Sequence, residues 1–177
     1  MFEYIFTYFY LAFYDFYTGV EIHKAGIAAA MQKIDNLDHK LQNIKFVRSD
    51  ALLLIEKHVP ENSVDKVCIY FPDPWPKAER DLSRRIIRPD IISHISKIIK
   101  SDGVLHIITD VKEYADYSKT VMEKFSSIGW NLSSEKVQIP CHRSSGDSRA
   151  ISKYELKAKE LDHMIWNYEY VFSKIQG

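Results

Sequence analysis

The sequence predicts an α/β fold: an open sheet with helices on both faces. Three observations predict it. Strand-like and helix-like segments alternate along the chain, the pattern of a layered α/β domain. Residues 64–70, Val-Asp-Lys-Val-Cys-Ile-Tyr, are a near-continuous apolar run of the kind buried on both faces of a parallel sheet. Four strand-like segments in succession run out into a carboxylate: Glu21, Asp50, Asp73 and Asp110. In an open parallel sheet, ligands bind beyond the carboxyl ends of the strands, so these four acids mark one functional edge.

Taken in order, residues 1–17 hold ten Phe or Tyr and only two charges, Glu3 and Asp15. A secretory leader needs a basic start and a small-residue cleavage site, and this segment has neither. A membrane span needs about 20 apolar residues, more than this run supplies. It reads as a helix or strand of the domain. Residues 16–22 read as a strand, and 24–34 as a helix with Ile27, Ala28, Met31 and Ile34 on one stripe. Residues 45–49 form a second strand closed by Asp50, and 51–59 a helix stopped by Pro60. After 64–70 comes a proline-rich loop, 71–76. An amphipathic helix then runs over 89–100 with Pro89 in its first turn. The Ser101-Asp102-Gly103 turn leads into a strand over 104–109, and a helix follows over 111–127. Residues 135–150 read as a polar loop, Ser152 as the cap of a helix reaching Leu161, and 164–172 as the last strand. No repeat or linker divides the chain, which reads as a single domain over 1–177 with an atypical aromatic segment at 1–15.

At 177 residues the chain is long enough for one sizeable core and short for two. The 24 basic residues match the 24 acidic ones, so the composition advertises no polyanion partner, and nucleic-acid binding would need a local basic patch. Cys68 reads as a reduced, buried thiol. Cys141 beside His142 makes too small a ligand set for zinc, so no metal is expected. These features fit a reducing cytoplasm.

The loop Phe71-Pro72-Asp73-Pro74-Trp75-Pro76-Lys77 is the most specific signal. Each proline fixes its own φ and restricts the residue before it, so Asp73 and Trp75 are held stiffly at the end of a buried strand. A plain rigid turn with Trp75 as a packing anchor would explain the loop, but not the cations downstream. Lys77, Arg80, Arg84 and Arg85 suit phosphate oxygens, or form a solvated surface run; both readings stay open.

Ile69-Tyr70-Phe71-Pro72-Asp73-Pro74-Trp75-Pro76-Lys77-Ala78 resembles the signature of the bacterial tRNA (guanine-N7-)-methyltransferases. Three more segments agree in order and spacing: Gly19-Val20-Glu21-Ile22-His23-Lys24 with Gly26-Ile27-Ala28; Thr109-Asp110 with Tyr114-Ala115; and Ser152-Lys153-Tyr154-Glu155. The likeness covers about residues 16–172. It implies a Rossmann-like sheet that binds S-adenosylmethionine. It further implies methyl transfer from that cofactor to N7 of the variable-loop guanine, position 46, of tRNA. By the resemblance, Glu21, Asp50 and Asp73 contact the cofactor, and Asp73 sits at the reaction centre as the catalytic group. Lys77, Asp110, Ser152, Lys153, Tyr154 and Glu155 contact the substrate, and Arg80, Arg84 and Arg85 meet RNA phosphates. The expected partner is tRNA, in the cytoplasm, with a monomer favoured and no membrane.

Two departures from the family pattern qualify these expectations. The basic run becomes Glu79-Arg80-Asp81-Leu82-Ser83-Arg84-Arg85, one residue longer. The family's first strand and glycine-rich turn have no counterpart, since no Gly-x-Gly occurs anywhere in the chain. The chain is expected to begin within the first helix, leaving a gap at the centre of the sheet. Such a gap would cost about 1–3 kcal/mol per unsatisfied buried backbone group, and whether the aromatic segment fills it stays open. The alternative function is an inactive truncated remnant that retains at most RNA binding. A methyltransferase for a small molecule or another RNA is weakened by Lys77 and the 152–155 segment. A nicotinamide-dependent dehydrogenase lacks its fingerprint glycines.

Overall fold

The computed structural model describes residues 9–13, 16–36, 42–75, 83–138 and 153–174. Its strands are β1 (Phe9–Phe13), β2 (Phe16–Glu21), β3 (Ile44–Arg48), β4 (Val64–Tyr70), β5 (Ile99–Thr109), β6 (Trp130–Gln138) and β7 (Ile165–Phe172). The described helices are α1 (Lys24–Asp35), α2 (Ala51–His58), α3 (Pro89–Ile98), α4 (Lys112–Glu123) and α5 (Lys153–Glu160), with a 3-10 turn at Ser126–Ile128. The strands form one sheet in the order β3-β2-β1-β4-β5-β7-β6.

The gap expected at the centre of the sheet is filled. β1, cut from the aromatic segment, lies between β2 and β4 and is antiparallel to both, with Leu11 opposite Thr18 on one side and Val67 on the other. Its direction follows from chain length. A parallel neighbour needs a crossover of a dozen or more residues, whereas Phe13 and Phe16 are separated by two. Leu11 is 1 % exposed and joins the main core.

The β2–β3 and β4–β5 pairs are parallel, and both β2 and β4 oppose β1, so β2 to β5 all end at one rim. Helices cover both faces. On one, α2, α3 and α4 pack against Leu11, Val67, Ile69, Leu105 and Ile107. On the other, Gly26 of α1 abuts Glu21, and Ala158 of α5 packs with Phe71, Ile108 and Ile165.

Three sequence readings change. β4 is fully buried on one face only. Val64, Val67 and Ile69 are 0 % exposed, but Lys66, Cys68 and Tyr70 are half-buried. That second face is polar: the Tyr70 hydroxyl and the Asn167 side-chain oxygen lie 2.9 and 2.8 Å from the two ring nitrogens of His106. β5 starts at Ile99, because the Ser-Asp-Gly turn is absorbed as an irregularity in the ladder, with Asp102 at φ 64°. Part of the expected 135–150 loop belongs to β6; residues 139–150 lie outside the described residues.

Candidate active site

The shared rim gathers three of the four predicted carboxylates. Glu21 is the last residue of β2, Asp50 caps α2 just after β3, and Asp73 stands three residues beyond β4. They line one open cleft of about 220 Å³, together with Ser49, Trp75, Arg84 and Arg88. Asp110 follows β5 at the same rim, half-buried, and is not among the lining residues.

Each acid is held differently. Glu21 is 6 % exposed, and its Oε1 accepts a 2.8 Å hydrogen bond from the His23 amide. A Cβ on Gly26 would stand 3.0–3.1 Å from the Glu21 side chain, so this glycine gives the carboxylate its room. Asp50 Oδ1 accepts from the Leu53 amide at 3.1 Å, an ordinary helix cap, and the residue is otherwise exposed. Asp73 is exposed, and its position comes from the loop that carries it.

That loop is fastened at both ends. Phe71 adopts φ 49°, a left-handed conformation uncommon for a bulky residue. Its amide donates to the Ile108 carbonyl at 2.7 Å, and its ring stacks on Tyr154 of α5 with centroids 5.5 Å apart. At the far end, the Trp75 carbonyl accepts from Arg85 Nε at 2.7 Å and also from Arg85 Nη2. The Arg84 guanidinium lies 3.2 Å from the Trp75 ring centre. Beneath, the Tyr114 hydroxyl accepts from the Ile87 amide at 3.2 Å. Burial pushes the Tyr114 phenol well above its ordinary range, and the charge of nearby Asp73 adds in the same direction. Tyr114 is therefore a neutral packing and hydrogen-bonding group.

Several expectations need correction. Arg85 is 2 % exposed, with its fork turned onto the Trp75 carbonyl, so it does not stand where RNA phosphates would meet it. Glu155 is buried in α5 and is not among the residues that line the cleft. Tyr154 is brought to the loop, through Phe71. Lys77, Arg80 and Ser152 lie outside the described residues, and Lys153 is placed only as the first residue of α5. Sequence reading missed Arg88, which lines the cleft while bonding Asp90 and the carbonyls of Ser83 and Arg85. Its position just before the helix-opening Pro89 was the available signal.

The donor set fits the adenosine half of a nucleoside cofactor. A buried carboxylate closing β2 suits a pair of ribose hydroxyls, Asp50 suits an amino group, and the Gly26 cradle keeps Glu21 in place. The cleft is smaller than the roughly 300–1,000 Å³ of pockets that enclose a drug-sized ligand, and the described residues offer no glycine turn for an amino-acid half. Among the described residues, no three His, Cys, Asp or Glu side chains gather to hold a metal, and no helix is long and apolar enough to cross a membrane.

The sheet is similar in fold to those of solved methyltransferases. The chain superposes on a 16S rRNA (adenine(1408)-N(1))-methyltransferase from Catenulisporales acidiphilia with a TM-score of 0.53 at 13% identity, covering 90% of this chain and 74% of that one. A structure described as an antibiotic related methyltransferase gives 0.54 at 19%, covering 88% and 76%. Residues 14–168 match the model of the family described as "Putative methyltransferase", and the chain belongs to that family. It is 32% identical over 158 residues to the tRNA (guanine-N(7)-)-methyltransferase of Legionella pneumophila, and 33% over 151 residues to that of Serratia proteamaculans. These matches cover 89% and 85% of this chain but span 63% and 60% of those relatives.

Proposed function

We propose that the chain acts as a tRNA (guanine-N7-)-methyltransferase, using S-adenosylmethionine to methylate the variable-loop guanine at tRNA position 46. The observation that supports this best is the stiff loop that sets Asp73 in one cleft with Glu21 and Asp50. The likeness to curated enzymes of that name supplies the substrate class. The setting is the cytoplasm, and the working unit is one chain with tRNA.

Guanine N7 carries an in-plane lone pair, so no base has to remove a proton before attack. The cofactor, when bound, supplies an electrophilic methyl group. What is left to the protein is alignment, a source of large rate gains when reacting atoms are held at near-attack distance. Glu21 accepts from the ribose hydroxyls and Asp50 from the adenine amino group. Asp73 accepts from guanine N1–H and its amino group, and offsets the positive charge that alkylation places on the purine. Asp110 and Tyr154 border the substrate side, with Lys77, Ser152 and Lys153 assigned there by resemblance. Arg84, exposed beside Trp75, and Arg80 are the cations proposed for RNA phosphate.

The test is transfer of labelled methyl to unmodified tRNA. Asp73→Ala is expected to lower kcat by about 10²–10³, the range for deleting one preorganised electrostatic contact. Unchanged turnover would remove Asp73 from the reaction. No transfer by the parent chain, with adenosine binding intact by calorimetry, would favour the inactive remnant instead.

A further inference from the structure

Arg85 has an unusual environment for an arginine. It is 2 % exposed, two of its N–H groups are spent on one neutral carbonyl, and its Nη1 has no hydrogen-bond partner among the described residues. Its guanidinium carbon lies 4.4 Å from the Tyr117 ring centre and 5.3 Å from that of Tyr114, a π-faced pocket on α4. No described carboxylate pairs with it. A buried cation that no described carboxylate pairs with, and whose donor is unmet among the described residues, is a poor way to hold a fold together, since an apolar side chain of similar size often does as well or better.

What the guanidinium touches points to its use. Trp75 is two residues from Asp73, with Pro74 between them, so little torsional freedom separates the Trp75 carbonyl from the Asp73 side chain. Both Nε and Nη2 converge on that carbonyl, and a two-pronged grip fixes direction as well as distance. The grip is braced in turn: Arg88, itself lining the cleft, donates to the Arg85 carbonyl at 3.0 Å.

We propose that Arg85 is a positioning residue for Asp73: its buried guanidinium holds the Trp75 carbonyl and so sets the direction in which Asp73 enters the cleft. Arg85 acts through the backbone of the loop and touches no substrate. The consequence for catalysis rests on the methyltransferase reading; the consequence for the loop does not.

The experiment compares Arg85→Met, Arg85→Lys and Tyr117→Phe with the parent chain. Three readouts are taken: melting temperature, hydrogen exchange of the peptide spanning residues 70–76, and kcat and KM for methyl transfer to tRNA. The expected result for Arg85→Met is an unchanged or higher melting temperature, faster exchange across 70–76, and a kcat lower by about a hundredfold, the scale of a small misplacement at a reacting centre. KM for tRNA should stay within about threefold, because one misaimed contact among the many proposed for tRNA costs little binding. Arg85→Lys keeps the charge without the fork and should match Arg85→Met in exchange and kcat, while Tyr117→Phe keeps the ring and should resemble the parent. Parental exchange over 70–76 in both Arg85 variants overturns the proposal. So does a melting temperature that falls far enough to account for the lost kcat. If the parent transfers no methyl group, the functional reading fails, and the exchange result alone still decides the role of Arg85.

Discussion

The two walls of the cleft are built on different principles. The wall beyond β4 is a short loop held by groups from distant parts of the chain: the Ile108 carbonyl from β5, Tyr154 from α5, and Arg85 with its floor of α4 tyrosines. The wall beyond β2 is local. Glu21 is fixed by an amide two residues on and by the missing side chain of Gly26, and the strand beside it is a five-residue insert running against its neighbours. A site can thus join one half whose geometry is enforced by tertiary structure to another set largely by adjacent sequence. The two should respond to different perturbations.

The largest expected effect is on the inserted strand. Leu11→Ala should destabilise the domain by about 3 kcal/mol, within the usual range for truncating a buried leucine, as read from urea unfolding. A loss below about 0.5 kcal/mol, the scatter of surface substitutions, would show that β1 is a loose filler and that the β2 wall stands without it. Next comes Gly129, at φ 114°, where an added Cβ would clash with the Ser173 carbonyl oxygen. Gly129→Ala should cost about 2 kcal/mol through a backbone conformation and contact that L side chains avoid. If the β4 wall depends on the far side of the sheet, hydrogen exchange should then quicken at Phe71 before it changes at Glu21. Gly26→Ala works on the other wall. It crowds the Glu21 carboxylate and should weaken adenosine binding about tenfold, or 1.4 kcal/mol, in a calorimetric titration, with stability little changed.

The smallest effect at neutral pH is alkaline sensitivity. Burial first, then the charges of Glu135 and Asp116, push the Tyr168 phenol from 10.0 to about 12, and Tyr170 is raised by the same kind of burial. A phenol whose folded pKa is raised stabilises fully below the unfolded value, and that contribution is lost as the pH climbs from about 10 towards 12. Unfolding midpoints should be flat from pH 7 to 9 and fall above 10. A fall that begins below pH 9 would place the weak point elsewhere than β7.

Much of this was legible in the residues. The bounds of β4 come directly from its apolar run, and α1, α2 and α3 are located by periodicity, Pro60 and Pro89. The three carboxylates of the cleft follow from the rule that parallel strands end at one rim. What stayed hidden was hidden for physical reasons. β6, Trp-Asn-Leu-Ser-Ser-Glu-Lys-Val-Gln, is an edge strand whose outward positions need not be apolar, so residues 135–138 read as loop and the rest gave no strand signal. The aromatic start gave no direction, because pairing sense depends on the two residues that join it to β2 and on the strands beside it. Arg85 looked like surface charge because a run of cations does so in sequence. Only the fold shows that one member of the run turns inward.

Phe71 carries a consequence for the order in which the domain matures. A left-handed backbone at a bulky side chain costs on the order of 1–3 kcal/mol, and here it persists against Ile108 and the stacked Tyr154. Tyr154 and its support, Ile165, lie more than 80 residues further along the chain. During synthesis from the amino end, the proline loop emerges early and relaxed. Its bend is expected to be completed when α5 and β7 dock, so a ribosome-bound fragment should hold the cleft's acids with the Phe71 end of the loop still loose.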